Sequence, residues 1–392
     1  MPKKKLLFIN GHLNAGGCER SLVDLLQHLD YSSYQVDLLL LEGMGDYSAE
    51  LPTEVQVHLY TLGRAFGPLG VCLKRAVVTR DWFSLRFRLI HLLSGYFGKR
   101  CLSLSRRLFP TCSGTYDAVI AFRQGICTDL AAYTFRGKKR ISWWHHGEFI
   151  YESRQASGIN QAFKRMDAVV AVSESCARLV REHFPLAERK VTVIPNMISV
   201  DRIAERAECP CDPAFPEGKF KIVSVARISP EKNFNLCVEA ARELQHRGIS
   251  FSWIIVGDGE QYKEIRDRID SKGLSEHVRM VGRKINPYPW IKAADIMVHP
   301  SLVESQGISI LEAMALSKPV IAVKSSGPME FIESGLNGFL ADDDPLQIAD
   351  LILQIMNDAD LAETLAREAN QTARQYSPEW IACEVNKLFE QG

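Results

Sequence analysis

The stretch Phe220-Lys221-Ile222-Val223-Ser224-Val225-Ala226, then Arg227-Ile228-Ser229-Pro230-Glu231-Lys232, then Asn233 to His246, decides the fold. The first seven residues form a short, largely apolar run that ends in a proline turn, which predicts a buried strand. Asn233 to His246 reads as a helix, with Gly248 closing it. Strand, turn and helix in that order are the unit of a parallel sheet covered on both faces.

The unit recurs on both sides. Toward the C-terminus, Phe251–Val256, Val278–Val281, Ile296–His299 and Pro319–Val323 read as further strands, each followed by a helical stretch. A last helix, about Pro378 to Phe389, comes after that sheet is complete. Toward the N-terminus, Glu205 to Lys219 holds three prolines and a glycine and reads as a linker. Before it lies a first series of strands: Lys5–Asn10, Val36–Leu41, Tyr116–Phe122, Arg140–Trp144, Ala168–Ser173 and Val191–Ile194. The expectation is an N-terminal domain over 1–204, a linker over 205–219, a C-terminal domain over 220–377 and a closing helix over 378–392. Both domains are doubly wound and Rossmann-like. Such sheets bind ligands beyond the carboxyl ends of their strands, so two of them facing a central cleft would hold two substrates.

Composition narrows the function. The chain has 392 residues, 46% apolar and 24% charged, with formal net charge +0. Those proportions suit a globular protein with two cores, and the charge balance leaves no nucleic-acid footprint. The lysines at the N-terminus precede an apolar run that Gly11-His12 cuts short, and no run has the length of a membrane span. A cytoplasmic protein is expected. The ten cysteines are scattered, and Cys209-Pro210-Cys211 has no matching pair at zinc spacing, so free thiols are expected and no metal.

Two segments of the second series carry candidate chemistry. After the strand ending at His299, a helix begins near Ile308 with Gly307 just outside it. Its free amides and positive dipole end make an anion site, and glycine lets a phosphate come close. Glu304 precedes this site. Glu312, about one turn into the helix, suits a vicinal diol such as a ribose. Arg227 and Lys232 leave the end of another strand five residues apart, a planar fork and a point charge for phosphate oxygens. Fixed cations beside a departing diphosphate contribute on the order of 3 kcal/mol to the transition state. In the first series, Gly16 and Gly17 open the first helix with bare backbone. His145 and His146 follow a strand end, where one of them is placed to hydrogen-bond a sugar. Neither the Gly16-Gly17 loop nor Gly257-Asp258-Gly259 completes a dinucleotide-binding fingerprint.

Taken in order, these pieces resemble the retaining GT-B glycosyltransferases of the "glycosyl transferases group 1" type over nearly the whole chain. The matching pieces are Gly16-Gly17, His145, Ala171-Val172-Ser173-Glu174, Val193-Ile194-Pro195-Asn196, Arg227 with Lys232, Gly257-Asp258-Gly259, Glu304 with Glu312, and Gly327-Pro328-Met329-Glu330. The resemblance implies metal-independent transfer, with retention, from a nucleotide sugar, a UDP-sugar, to a glycan or lipid-linked acceptor. The nucleotide sugar is a substrate, and no cofactor is implied. The resemblance places Arg227 and Lys232 on the diphosphate and Glu304 near the donor sugar. It places Glu312 on the ribose, the backbone of Gly307, Ile308 and Ser309 on phosphate, and backbone near Arg283 on the base. His145 matches the N-domain histidine, and the last helix is implied to cross back to the first domain. Three positions depart from the family pattern. Gln306 stands where an aromatic residue is common, Ala226 replaces glycine before Arg227, and Asn233 replaces glycine after Lys232.

Asp342-Asp343-Asp344 and Asp358-Ala359-Asp360 match the metal-binding Asp-x-Asp of another fold, but caps and solvated faces are the simpler account. Residues 64–110 carry ten Lys or Arg and one acid, Asp81, with apolar residues interleaved. That pattern suits either an anionic membrane surface or a helix packed on the first domain with a wet basic face. A non-catalytic GT-B module that binds a sugar nucleotide or a partner enzyme is the alternative to catalysis.

Overall fold

The computed structural model describes residues 2–62 and 69–390. Arg64, the first cation of the basic stretch, lies outside the described residues. Among the described residues, strands β1 (Lys4–Asn10), β2 (Tyr34–Leu40), β3 (Val55–Leu59), β4 (Thr115–Ala121), β5 (Arg136–Trp144), β6 (Ala168–Ala171) and β7 (Val191–Val193) form one sheet. Its order is β3-β2-β1-β4-β5-β6-β7, parallel throughout. A second parallel sheet holds β8 (Phe220–Val225), β9 (Phe251–Val256), β10 (Val278–Met280), β11 (Ile296–His299), β12 (Val320–Val323) and β13 (Phe339–Ala341). Its order is β10-β9-β8-β11-β12-β13. Each is a doubly wound Rossmann-like sheet, and β3 and β13 were not foreseen from the pattern.

The apolar runs of the second sheet feed two cores. Ile222, Trp253, Ile255 and Ile321 pack in the core that contains Phe234 and Val238 of helix Phe234–His246. Val223, Ile254, Met297 and Val320 pack in the core that contains Ile310 and Leu311 of helix Ile308–Ala315. Successive side chains on a strand point to opposite faces, so a strand covered on both faces needs apolar residues at every position.

The chain divides into two compact units, Met1–Pro195 with Ile381–Gly392, and Asn196–Trp380. The boundary therefore lies at Pro195, not at residue 204, and Glu205 to Lys219 is not a linker. Ile198, Ile203, Ala207 and Phe215 are buried in the second unit's core, and Val200–Arg206 is a helix. The Ile198 amide donates to the Tyr376 carbonyl at 2.8 Å, and the Trp290 indole to the Pro213 carbonyl at 3.1 Å. The prolines of this segment mark bends in a chain that is held by the apolar residues between them.

The last helix, Pro378–Glu390, has its residues from Ile381 onward in the first unit. There the Phe389 ring meets Phe8 edge-on at 6.2 Å and Tyr34 at 5.9 Å between centroids.

Candidate active site

A doubly wound sheet binds ligands where its strand order reverses direction, outside the carboxyl ends. In the second unit that point lies between β8 and β11, which pair side by side. The turn after β8 carries Arg227 and Lys232, and the loop after β11 carries Glu304.

The structure joins Lys232 and Glu304 directly. Lys232 Nζ lies 2.6 Å from Glu304 Oε1 and donates to the Val303 carbonyl at 3.2 Å. His299, the last residue of β11, brings Nε2 to the same carboxylate oxygen at 2.6 Å. The carboxylate is mostly buried, with 12% of its side chain exposed, and His299 is at 1%. Burial alone would raise the Glu304 pKa. The Lys232 charge and the His299 hydrogen bond outweigh it and bring the carboxyl down to about 2. Glu304 is thus an anion at every physiological pH. Sequence pattern alone marks His299 only as a strand end. The available signal was its place as the last residue of a strand, five positions before Glu304.

Helix Ile308–Ala315 begins at Gly307, which holds a left-handed φ of 86°. The Ile308 and Ser309 amides have no acceptor within an α-helix, as for any first turn. Ser309 Oγ lies 3.5 Å from His299 Nδ1, which ties the helix start to the carboxylate group. Glu312 is buried, and the Tyr288 hydroxyl donates to its Oε1 at 2.8 Å. Arg283 follows β10, beyond Gly282 with φ 73°. Arg227 is exposed.

Two departures from the family pattern acquire physical reasons. Asn233 adopts φ 50°, ψ 44°, the left-handed conformation that asparagine tolerates better than other side chains. Gln306 is buried, and its side chain is turned to Asn196. Gln306 Oε1 accepts from the Asn196 amide at 2.8 Å and from Asn196 Nδ2 at 2.7 Å, and Gln306 Nε2 donates to the Asn196 carbonyl at 3.3 Å. Its amide therefore anchors the loop before helix Ile308–Ala315 to the first residue of the unit.

Glycines bring the backbone segments together. A Cβ on Gly257 would lie 1.9 Å from the Ala226 carbonyl oxygen, and one on Gly259 would lie 2.2 Å from that of Ile228. Gly257-Asp258-Gly259 thus allows one strand-end loop to press against the Arg227 turn. A Cβ on Gly327 would meet the Gln306 backbone at 2.8 Å, and Ser326 Oγ donates to the Glu304 carbonyl at 2.9 Å.

In the first unit the switch lies between β1 and β4. Gly16 is the extended N-cap of helix Gly17–Gln27, and Glu19 in its first turn is buried. The end of β4 brings Arg123 Nη1 to 3.2 Å from His12 Nε2 and 3.8 Å from Glu19 Oε1. His145, just past β5, packs its ring 5.0 Å from Phe122. Its Nε2 is buried without a partner among the described residues. Burial, with neighbouring His146 and Arg123, lowers the His145 pKa to about 3, against a hydrogen bond to the Phe122 backbone. His145 is a neutral imidazole with one unused nitrogen. The His146 carbonyl accepts from the Trp144 indole at 2.9 Å and from the Cys176 thiol at 3.3 Å. Ser173 of the Ala171–Glu174 motif caps helix Glu174–His183.

The aspartate triplets hold local structure. Asp342 pairs with Lys324, Asp343 accepts from Asn233 Nδ2, and Asp344 and Asp358 cap the helices that follow them. Among the described residues no group of three or more His, Cys, Asp or Glu is arranged to hold a metal ion.

Comparison with known proteins agrees with this architecture. The model of "Glycosyl transferases group 1" matches residues 206–372, and that of "Glycosyltransferase Family 4" matches residues 15–202. The uncharacterized glycosyltransferase MJ1178 of Methanocaldococcus jannaschii is 29% identical over 181 residues, 45% of this chain and 50% of that protein. The chain spans about half the length of the first curated relatives it matches. Human alpha-1,3/1,6-mannosyltransferase ALG2 is 22% identical over 97% of this chain and 94% of its own. The crystal structure of Anabaena Alr3699/HepE in complex with UDP-glucose superposes with a TM-score of 0.74 at 20% identity, over 98% of this chain and 99% of that one. At that identity the likeness speaks for the fold. The second unit thus matches the glycosyl transferases group 1 model and the first the glycosyltransferase family 4 model, and the two Rossmann-like units are those of the GT-B fold.

Proposed function

We propose that the chain is a retaining, metal-independent glycosyltransferase. It moves a hexosyl or N-acetylhexosaminyl group from a nucleotide-diphosphate donor, a UDP-sugar, to a glycan, lipid-linked or other membrane-associated acceptor on the cytoplasmic side. The observation that carries this reading is the Lys232–Glu304–His299 group at the switch point of the second sheet, beside the Arg227 turn and the start of helix Ile308–Ala315. The complex of HepE with UDP-glucose supports the donor class, and the 1,3 and 1,6 linkages in the name of the mannosyltransferase ALG2 support a glycan acceptor.

In the reaction, the bond between the anomeric carbon and the diphosphate oxygen breaks, and its electron pair leaves with the diphosphate. The acceptor hydroxyl oxygen forms the new bond on the same face, and its proton passes to the departing phosphate oxygen. Arg227, Lys232 and the amides of Gly307, Ile308 and Ser309 stabilise the growing negative charge, with Gly16 and Gly17 as further backbone donors. Glu304, ionised and held in place, faces the positive charge that develops on the sugar. Glu312, oriented by Tyr288, takes the ribose diol, and backbone near Arg283 takes the base. His145 accepts a hydrogen bond from a sugar hydroxyl at Nε2.

A panel of nucleotide sugars with plausible acceptors, run in chelator, tests the reading. Release of nucleoside diphosphate is expected from one donor, with the anomeric configuration kept by NMR. Lys232→Ala and Glu304→Ala are each expected to lower the rate by on the order of a hundredfold or more. Binding without turnover across the panel would instead make the chain a sugar-nucleotide-binding module. Turnover with inversion, or only with added metal, would overturn the mechanism.

A further inference from the structure

Half of the large apolar side chains exposed among the described residues fall between Val71 and Leu104. All but Leu104 lie on two consecutive helices of the first unit, Leu69–Thr79 and Trp82–Phe97. In the second helix Ser84, Phe87 and Ser94 are buried, and Phe83, Phe87 and Phe109 cluster with Tyr60. That face is spent on the protein. Trp82, Arg86, Leu89, Leu93, Tyr96 and Phe97 recur at helical spacing on the other side, and all are exposed. Tyr96 is 86% and Phe97 76% exposed. The first helix repeats the arrangement, with Cys72 and Ala76 buried and Val71, Leu73, Val77 and Val78 exposed opposite them. A helix apolar all round is normally covered all round, so each of these has one face that lacks its cover.

The charge on this face selects the cover. Lys74, Arg80, Arg86, Arg100 and Arg107 are exposed in the same segment. Asp81, its one acid, is used in capping the second helix through Ser84. No helix among the described residues is long and apolar enough to cross a membrane. Exposed aromatic and aliphatic side chains among arginines suit the headgroup region of a bilayer with negative lipids.

We infer that the helices Leu69–Thr79 and Trp82–Phe97 dock this unit on an anionic membrane surface, with Tyr96 and Phe97 inserted and Arg86, Arg100 and Arg107 on lipid headgroups. The inference deepens the proposed membrane-associated acceptor and rests on that reading for its biological purpose, whereas docking is measured without donor or turnover.

The test is co-sedimentation of the full chain with vesicles of phosphatidylcholine alone or mixed with phosphatidylglycerol. Binding is expected on the mixed vesicles and is weakened by salt. Arg86→Glu with Arg107→Glu is expected to weaken it at least about tenfold, and Tyr96→Ser with Phe97→Ser to abolish what survives high salt. Both pairs are exposed, and unchanged melting shows that each variant folds. Absence of wild-type binding, equal binding to neutral vesicles, or no effect of either pair overturns the inference. So does a wild-type dimer that Tyr96→Ser with Phe97→Ser dissociates, because a second copy would then be the cover. A chain that binds vesicles but transfers no sugar leaves docking intact and fails the catalytic reading alone.

Discussion

In the second unit two cationic or donating groups, Lys232 and His299, converge on one oxygen of Glu304. Its side chain and that of Lys232 are both largely buried, so breaking the pair leaves an uncompensated charge. Lys232→Met is expected to destabilise the protein by on the order of 3 kcal/mol at neutral pH. The folded carboxyl sits at about 2, below its ordinary value of 4.5. Its contribution is therefore complete above pH 4.5 and is lost as pH falls toward 2. Denaturation curves of wild type and Lys232→Met should converge over that window, and a gap that stays constant from pH 7 to pH 3 would remove Lys232 as the cause. Glu304 and Lys232 were both legible as chemistry from residue type and position. Their mutual bond was not, because 72 residues separate them and only the pairing of β8 with β11 brings them together. Gln306 shows the opposite case. Its position shows only a departure from the family's aromatic residue, whereas its amide is satisfied by Asn196, 110 residues away in sequence.

Among the elements, strands buried on both faces were the easiest to read. β8, β9 and β11 are near-continuous apolar runs, and the bounds read from pattern differ from the observed ones by a residue at most. β3 escaped because it lies at the sheet edge and interleaves Gln56 and His58 with its valines. The turns between elements depend on contacts no local pattern reports. Gly257-Asp258-Gly259 first served to exclude a dinucleotide fingerprint, but its glycines are there because the Ala226 and Ile228 carbonyls lie against them. Gly259→Ala is accordingly expected to push the Arg227 turn away, costing at least about 1 kcal/mol of stability and weakening nucleotide-diphosphate binding by calorimetry more than Gly218→Ala does. Gly218 differs from Gly259 in having a positive φ of 69° and open space around it, so Gly218→Ala reports backbone strain without crowding, and a loss from Gly259→Ala no larger than that would remove the close approach as the cause.

At the scale of the whole molecule, the last helix belongs to the unit that contains the N-terminus. Ile381, Val385, Leu388 and Phe389 are buried there, and Lys139 Nζ donates to the Leu388 carbonyl. Deleting residues from Ile381 onward is expected to destabilise the first unit by on the order of 5 kcal/mol, given roughly 1.5–3 kcal/mol for each large apolar side chain and some burial already present in the unfolded chain. Hydrogen exchange should then accelerate in β1 and β2 while β8 and β9 keep their protection. Faster exchange in β8 would place the helix's energetic role in the wrong unit. Local pattern alone determined the two parallel sheets and the glycosyltransferase resemblance, because a strand or helix declares itself through the period of its apolar residues and a family through motifs in order. Tertiary structure decided the rest: that Ala207 and Phe215 fix residues 205–219 to the second unit's core, that His299 joins Glu304, and that the helices at Leu69–Thr79 and Trp82–Phe97 keep a second apolar face bare. Each of these turns on which side chains meet across long stretches of chain, and the apolar period that names an element does not say what covers it.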